Sequence, residues 1–577
     1  MRALDFLCAA KTVPVVCADD RSMSRTLTPA ILLSAALWTS MTAAHNGLQT
    51  PLPLPAVIKD GDTLALRCGH VYSGTVDVRG RSNVTLRTEG DCGMAAITPA
   101  KPVRGWVRDG PLWSASVDAQ PLMLQLDNQF MPLAHHPNVA NEWLMGQGAG
   151  PEHLHVPITE HDLTGATLVW RPEDWLILSQ RVVEHHQGNV RIASLPEPGF
   201  GFRERTPFYL EGQRWMLDTP GEWVYDAGRL YLWTPDGRSP EGRVWAAPRA
   251  TAIDARGTNN FSIQNIRIFL AARGIDGSES SHLLIRDTEI ANSFEEAIRI
   301  GGEGARMSHV RVLGTRQHGL RAEDDARDVG VFDSVFERVG MLGMPLRSKG
   351  AIVFEQARGQ MIARNRIDQS AYLGIRVFRE AVVTDNLITR ACQWLSDCGG
   401  IYTFARDKLP LATRIERNRI RGLRGRLSHA IYLDDFANDV LVHENQLSDN
   451  PGGIQLHDAF NNRITGNCFA RSLHEHMLFN ETAPELAIAG NQVSDNRFDL
   501  TGEAPVYRLW SRHGGAHVHR FALLGNNRYV GPSHRFAQVE GSGVIDAQTW
   551  RARMGEIEPV FSVPGPLPKL GRQPAQK

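Results

Sequence analysis

The chain has 577 residues, with 62 Lys and Arg against 63 Asp and Glu, a formal net charge of −1, and 42% apolar residues. So balanced a charge excludes nucleic acid or an anionic membrane surface as the main partner, since both demand a basic face; a polyanionic sugar stays open, because a local basic groove would bind it. The length would suit several average domains, but a solenoid escapes that limit by adding coils.

An apolar stretch from Leu27 to Ala44 follows Arg25 and ends in the small residues Thr42-Ala43-Ala44. That is the pattern of a secretory signal peptide, so residues 1–44 read as a leader cleaved after Ala44, with Met23 as the true start. Pro29 and the Ser and Thr content argue against a membrane anchor. No later segment could span a bilayer, and a secreted or periplasmic location is expected. Cys8 and Cys17 fall in the leader. Cys68–Cys92 and Cys392–Cys398 are expected as local disulfides, leaving Cys468 free and buried. No CxxC or HExxH pattern is present, so no metal site is expected.

Residues 45–100 read as the first coils of a solenoid: Gly61 to Gly90 alternate apolar and polar positions and turn on Gly. Residues 101–245 break the pattern. They are rich in Pro and carry Trp106, Trp113, Trp143, Trp170, Trp175, Trp215, Trp223, Trp233 and Trp245, and read as an inserted β-rich lobe. Coils resume over residues 246–558. Residues 559–577, rich in Pro, Gly and Lys, are expected to be disordered.

Within the coils one unit recurs: small–Ile–x–apolar, a turn, an apolar strand, then Asn–x–apolar. Its first apolar residue returns as Ile275, Ile298, Leu320, Ile352, Ile375, Ile401, Ile431, Ile454 and Met477. Most steps are about 22 or 23 residues, the length of one β-helix coil, and longer steps mark inserted loops. A lone coil cannot bury its apolar face but a stack can, so the predicted fold is all-β: a right-handed parallel β-helix with an inserted β-rich lobe near the N-terminus. Asn365, Asn386, Asn418, Asn445, Asn467 and Asn491 are expected to form one amide ladder at the turn.

With the recurrent Ile inward, the next residue points out. This gives one outer column of Arg299, Arg321, Val353, Arg376, Tyr402, Tyr432 and Gln455. A second holds Glu323, Glu355, Phe378, Phe404, Asp434, His457 and Asn480. A third holds Asp324, Gln356, Arg379, Ala405, Asp435, Asp458 and Glu481. Aromatic and acidic side chains on successive coils suit sugar rings, which stack on the aromatics and bond the carboxylates. A loop bridged between Cys392 and Cys398 would hold Trp394 and Asp397 beside the strand of Tyr402. Asp397 is then the candidate acid, and Asp434 or Asp435 the candidate nucleophile or base, of glycoside hydrolysis, which needs two carboxyl groups with separated pKa values. The expected substrate contacts are Tyr402, Tyr432, His457, Asp458, Arg376, Trp394 and His429.

The order of Gly61–Gly80 (GDTLALRCGHVYSGTVDVRG), a Trp-rich insert with LDNQFMPLAHHPN, then coils with DCGGIYT and IYLDD resembles parallel β-helix carbohydrate-active enzymes, closest to glycoside hydrolase family 141, over roughly residues 56–500. The resemblance implies fucosidase- or xylanase-type hydrolysis with catalytic aspartates at Asp397 and at Asp434 or Asp435. AHHPN (Ala134 to Asn138) departs from the Arg-containing version usual in such inserts. The rival on the same fold is a polysaccharide lyase or uronan epimerase using Lys349 and Arg376, for which Ca²⁺ would be the natural ion; hydrolysis needs no cofactor. A further alternative is a non-catalytic glycan-binding β-helix. The expected partner is a carbohydrate polymer or oligosaccharide, and the expected state a monomer.

Overall fold

The computed structural model describes residues 51–55, 57–531 and 535–562. The expected leader, and the tail beyond Ser562, lie outside the described residues. Three long sheets wind together, of fifteen, thirteen and fourteen strands, with neighbours parallel throughout apart from one terminal hairpin, so each turn of the chain adds one strand to each sheet. This is a right-handed parallel β-helix. The recurrent Ile series lines its interior: Ile275, Ile298, Leu320, Ile352, Ile375, Ile401, Ile431, Ile454 and Met477 are all fully buried and stand in register from coil to coil.

The asparagines explain one corner. Asn365 Nδ2 donates to Asn386 Oδ1 at 3.0 Å, and the same bond repeats from Asn386 to Asn418, Asn418 to Asn445 and Asn445 to Asn467. The ladder then runs to Asn496 and Asn527 and ends on Glu556. Asn491, expected in this ladder, instead pairs with Asn462 in a second one at another corner; both positions fit Asn–x–apolar, so spacing alone confused two turns of one coil. The residue before each main-ladder asparagine has a left-handed backbone, yet among Arg364, Asp385, Arg417, Glu444, Gly466, Asp495 and Asn526 only one is glycine. A left-handed L-residue costs about 1–2 kcal/mol. The buried amides, each bonded to its neighbours above and below, offset that cost.

Residues 101–247 form a separate antiparallel lobe of three sheets, with four, seven and four strands. Its last strand, Val244–Ala247, pairs with Met123–Leu126, and the coils resume at Thr251–Asp254. The lobe is pinned to the helix by a buried Arg316–Glu211 ion pair at 2.6 Å and by the Tyr209 hydroxyl, which donates to the Pro345 carbonyl at 2.6 Å. Val169, Ile177 and Tyr209 of the lobe share an apolar cluster with Met344, Leu346 and Leu395 of the coils.

Two disulfides, Cys68–Cys92 and Cys392–Cys398, are formed. Cys468, expected to be a free thiol, is buried and disulfide-bonded. The coils also run further than expected, since Val560–Ser562 pairs in parallel with Arg528–Val530. Helix Ala547–Met554 covers this end. It is started by Asp546, whose carboxylate accepts from the Thr549 amide, and its fully buried Trp550 stacks on Tyr507. No helix among the described residues is long and apolar enough to cross a membrane.

Candidate active site

The fourteen-stranded sheet carries the candidate residues on its outer face. Its register places Arg376 beside Tyr402, Tyr402 beside Tyr432, Phe404 beside Asp434, and Tyr432 beside Gln455. The first two expected columns therefore stand in register, although Val353, Phe378, Tyr432 and Gln455 are buried. The third does not: Ala405 and Asp458, each one residue past its strand, and Glu481, the last residue of its strand, are buried.

Asp434 is the centre of the cluster. Its carboxylate accepts from the Tyr402 hydroxyl at 2.6 Å, from His457 Nδ1 at 2.5 Å and from the Asp435 amide at 2.9 Å. Burial alone would raise its pKa, but the hydrogen bond and charge of His457, with the Tyr402 bond, hold it below the ordinary carboxylate range. The reciprocal holds for His457. Burial would lower it, and Asp434 together with Asp458 and Asp435 raises it. Its other nitrogen bonds Thr482 Oγ1 at 2.7 Å. This is a charged imidazole clamped between carboxylates.

Asp397 lies in a different environment. It sits on the loop closed by Cys392–Cys398, with a left-handed backbone. Tyr372 Oη donates to its carbonyl at 2.8 Å. The next residue back, Ser396, donates its amide to Asp174 of the lobe at 2.9 Å. The lobe and the disulfide thus fix this loop from both sides. Burial, and then the negative charge of Asp434, push the Asp397 carboxyl up to about 6, against the weaker pull of a hydrogen bond from Tyr432 and the imidazoles of His457 and His429. Two neighbouring aspartates are driven apart in acidity, one toward the neutral acid and one toward the anion.

Asp435 is the weaker of the expected pair. It has a left-handed backbone, and its carboxylate is bound by Arg406 at 2.6 Å. Arg376 is held at 2.9 Å by Glu355 and lies over the rings of Phe404 and Tyr402. Lys349 pairs with the same Glu355. A lysine fixed as a counter-ion is a poor proton acceptor, which disfavours its use as a lyase base. Asp458 is 3% exposed and spends both oxygens on the Thr482 side chain and the Thr482 and Ala483 amides; it braces His457 and does not face a ligand. Trp394 is half-buried on the disulfide loop, its amide bonded to Ala371. His429, expected as a substrate contact, is 4% exposed and bonded to Glu475 at 2.9 Å.

Sequence reasoning missed Glu475 and Tyr372, and set Glu355 in the second outer column without giving it the role of counter-ion to Arg376 and Lys349. No pair forms at Ala430, although the register is the same on both sides of it, His429 with Gly399 and Gly452 and Ile431 with Ile401 and Ile454. Gly452 pairs with His429 on one side and Glu475 on the other, so the two side chains meet across it from coils two apart, and strict alternation gives no hint of it. Ligand atoms of Asp434, Asp435 and His457 lie within 4.8 Å of one another. His457 is committed to Asp434 and Asp435 to Arg406, so the three form an ion-pair network and not a cation cage.

Residues 350–519, the segment that holds the cluster, match the family model for a right-handed beta helix region. No curated protein matches the sequence. Among solved structures, one titled a glycoside hydrolase aligns with a TM-score of 0.56 at 14% identity, covering 75% of this chain and 89% of that one. The catalytic unit of a GH87 alpha-1,3-glucanase from Streptomyces thermodiastaticus aligns at 0.37 and 10% identity, over 78% of this chain and 87% of its own. The A-module of the Azotobacter vinelandii mannuronan C-5 epimerase aligns at 0.36 and 12% identity, over 55% of this chain and 92% of its own. At such identities the likeness is one of fold.

Proposed function

We propose that this chain is a secreted glycoside hydrolase that cleaves a polysaccharide or oligosaccharide with Asp397 as general acid and Asp434 as the second carboxylate. One observation carries the proposal: neighbouring aspartates whose surroundings favour opposite protonation states, Asp397 raised to about 6 and Asp434 lowered. Glycoside hydrolysis requires that division of labour. Asp397 gives its proton to the glycosidic oxygen as the bond to the anomeric carbon breaks. The ionised Asp434 stabilises or captures the cationic sugar carbon, directly or through a water that it deprotonates. Tyr402 and Arg376 flank that point; Tyr432, expected as a substrate contact, is 3% exposed and backs Tyr402 edge-on at 5.4 Å. The likeness in fold to a structure titled a glycoside hydrolase, the leader pattern at residues 1–44 and the disulfides of the coils support the same reading.

The test is turnover of a panel of neutral and uronic-acid glycans by the mature chain from His45, following new reducing ends and the absorbance of unsaturated products together. Reducing ends without unsaturation, lost in Asp397→Asn and in Asp434→Asn, are expected. Unsaturated products that persist in both variants would refute the hydrolase and return the chemistry to Lys349 and Arg376; no turnover of any glycan would favour a binding protein.

A further inference from the structure

Across the ring of His457 from Asp434 lies a second carboxylate, Asp458, and one hydroxyl stands between it and the imidazole. His457 pairs in register with Asn480 of the next coil, and Thr482, two residues on, comes beside the ring. The Thr482 backbone is held on both sides: its amide donates to Asp458 Oδ1 at 2.8 Å, and its carbonyl accepts from Arg512 at 3.0 Å. The side chain is held as well. Its Oγ1 lies 2.9 Å from Asp458 Oδ2 and 2.7 Å from His457 Nε2.

The hydrogens along this chain can be counted. A carboxylate only accepts hydrogen bonds, whereas a hydroxyl has one hydrogen to donate and lone pairs that accept. Asp458 is met by three donors, the Thr482 and Ala483 amides on Oδ1 and the Thr482 hydroxyl on Oδ2. The single hydrogen of Thr482 Oγ1 is thereby spent, and toward His457 that oxygen offers only a lone pair, so Nε2 carries a hydrogen. On the other side Asp434 is also met by three donors, the Asp435 amide, the Tyr402 hydroxyl and His457 Nδ1. A ring with a hydrogen on both nitrogens is the cation. We propose that Thr482 is a positioning residue, whose hydroxyl, committed to Asp458, locks His457 as an imidazolium against Asp434. The proposal rests on the hydrolase reading for its purpose, but not for its test. The locked ring has no lone pair and so is no base; it is the fixed counter-ion that keeps Asp434 ionised while Asp397 holds its proton. The charged groups that face the ring are Asp434, Asp458 at 3.5 Å and Asp435 at 4.0 Å, the last also bound by Arg406; Asp397 feels its charge more weakly.

The experiment reads the two ring nitrogens of His457 by nitrogen NMR of protein labelled at histidine, assigned by their loss in His457→Gln, and needs no substrate. At pH 6.5, the ordinary midpoint of the ring, wild type is expected to give the signals of the cation at both nitrogens. Thr482→Val keeps the shape and removes the lone pair that holds the Nε2 hydrogen. The titration of the ring is then expected to fall by about one to two pH units, the worth of one hydrogen bond to a charged group. Thr482→Ser returns the hydroxyl and should return the titration. The direction of the shift is the test, because a hydroxyl that donated to a neutral Nε2 would favour the uncharged ring, and its loss in Thr482→Val would raise the titration. A raised or unmoved titration would overturn the proposal even if hydrolysis is confirmed. Neutral-ring signals in wild type at pH 6.5 would overturn it without any variant, should Thr482→Val fail to fold. With a turned-over substrate, Thr482→Val should lower kcat with little change in KM, and Thr482→Ser should recover it. A lowered titration in a chain that cleaves no glycan would leave the lock standing and remove the reading of its purpose.

Discussion

Asp397→Asn should inactivate the protein and yet stabilise it above neutral pH. In the folded chain the Asp397 carboxyl titrates near 6, against an ordinary value of 3.8. The folded state therefore holds its proton more tightly than the unfolded state, so stability is highest below about pH 4 and falls as pH rises through the interval to 6. With each pKa unit equal to about 1.4 kcal/mol, the loss above pH 6 is about 3 kcal/mol. An amide has no charge to desolvate and keeps the shape, so the asparagine variant escapes this cost. An unfolding entropy of about 2.1 cal/mol/K per residue gives about 1 kcal/mol/K for some 500 ordered residues, so the gain is about 3 °C in melting temperature. The assay is differential scanning calorimetry of wild type and variant at pH 4 and at pH 8. The variant should melt about 3 °C higher at pH 8 and show little advantage at pH 4. A variant that melts lower than wild type at pH 8, or gains equally at both pH values, would refute the assignment of Asp397 as the strained acid.

Other expectations follow from the same geometry. The alkaline limb of kcat/KM should fall near pH 6, where Asp397 loses its proton, and a limb above pH 8 would assign the acid elsewhere. Tyr402→Phe removes one of three hydrogen bonds to Asp434 and should lower kcat/KM by about tenfold or more, since a bond to a charged group is worth about 1.5–3 kcal/mol; steady-state kinetics on any turned-over glycan would show it. Gly452→Ala drives a β-carbon into His429 and should destabilise by about 1–3 kcal/mol, the usual cost of overpacking, with near-ultraviolet circular dichroism and calorimetry as the measure. Asn418→Ala removes the acceptor of the Asn386 backbone and side-chain amides and one donor to the Val383 carbonyl and should cost about 2–4 kcal/mol, read as a lowered midpoint in urea.

What the sequence made legible is what repeats. The buried Ile series and most of the asparagine ladder are periodic, and periodicity survives without coordinates. Tyr402, Tyr432, Asp434 and His457 could be set on one face because their strand follows strict alternation. The failures come where alternation stops. Asp458 lies one residue past the strand end, turns inward and is consumed by loop amides. His429 meets Glu475 across the glycine of the coil between them, so its burial against a residue two coils away was invisible. The choice between Asp434 and Asp435 rested on local backbone: the first ends the strand, while the second is left-handed and taken by Arg406. Cys468 shows the limit of counting, because spacing in sequence assigned it no partner.

The two roles assigned to aspartate depend on how each is attached to the solenoid. Asp434 belongs to a regular strand, so its neighbours on either side are fixed by register: Tyr402 one coil before and His457 one coil after. Stacked strands lie about 4.8 Å apart, close enough for both to reach it, and such a carboxylate stays ionised. Asp397 belongs to a loop outside the register, and the imidazoles of His457 and His429 act on it only weakly against burial and the charge of Asp434. Its surroundings are instead the apolar contact of the lobe with the coils, around Leu395, and the ring of Tyr372. Desolvation without a paired charge is what raises a carboxyl pKa. The lobe thus has a chemical consequence. Replacing the lobe's grip on the loop by solvent, as Tyr209→Ala would begin to do, should lower the Asp397 pKa toward its ordinary value and move the alkaline limb to more acid pH, whereas a lobe that served only to bind glycan would change KM and leave that limb in place.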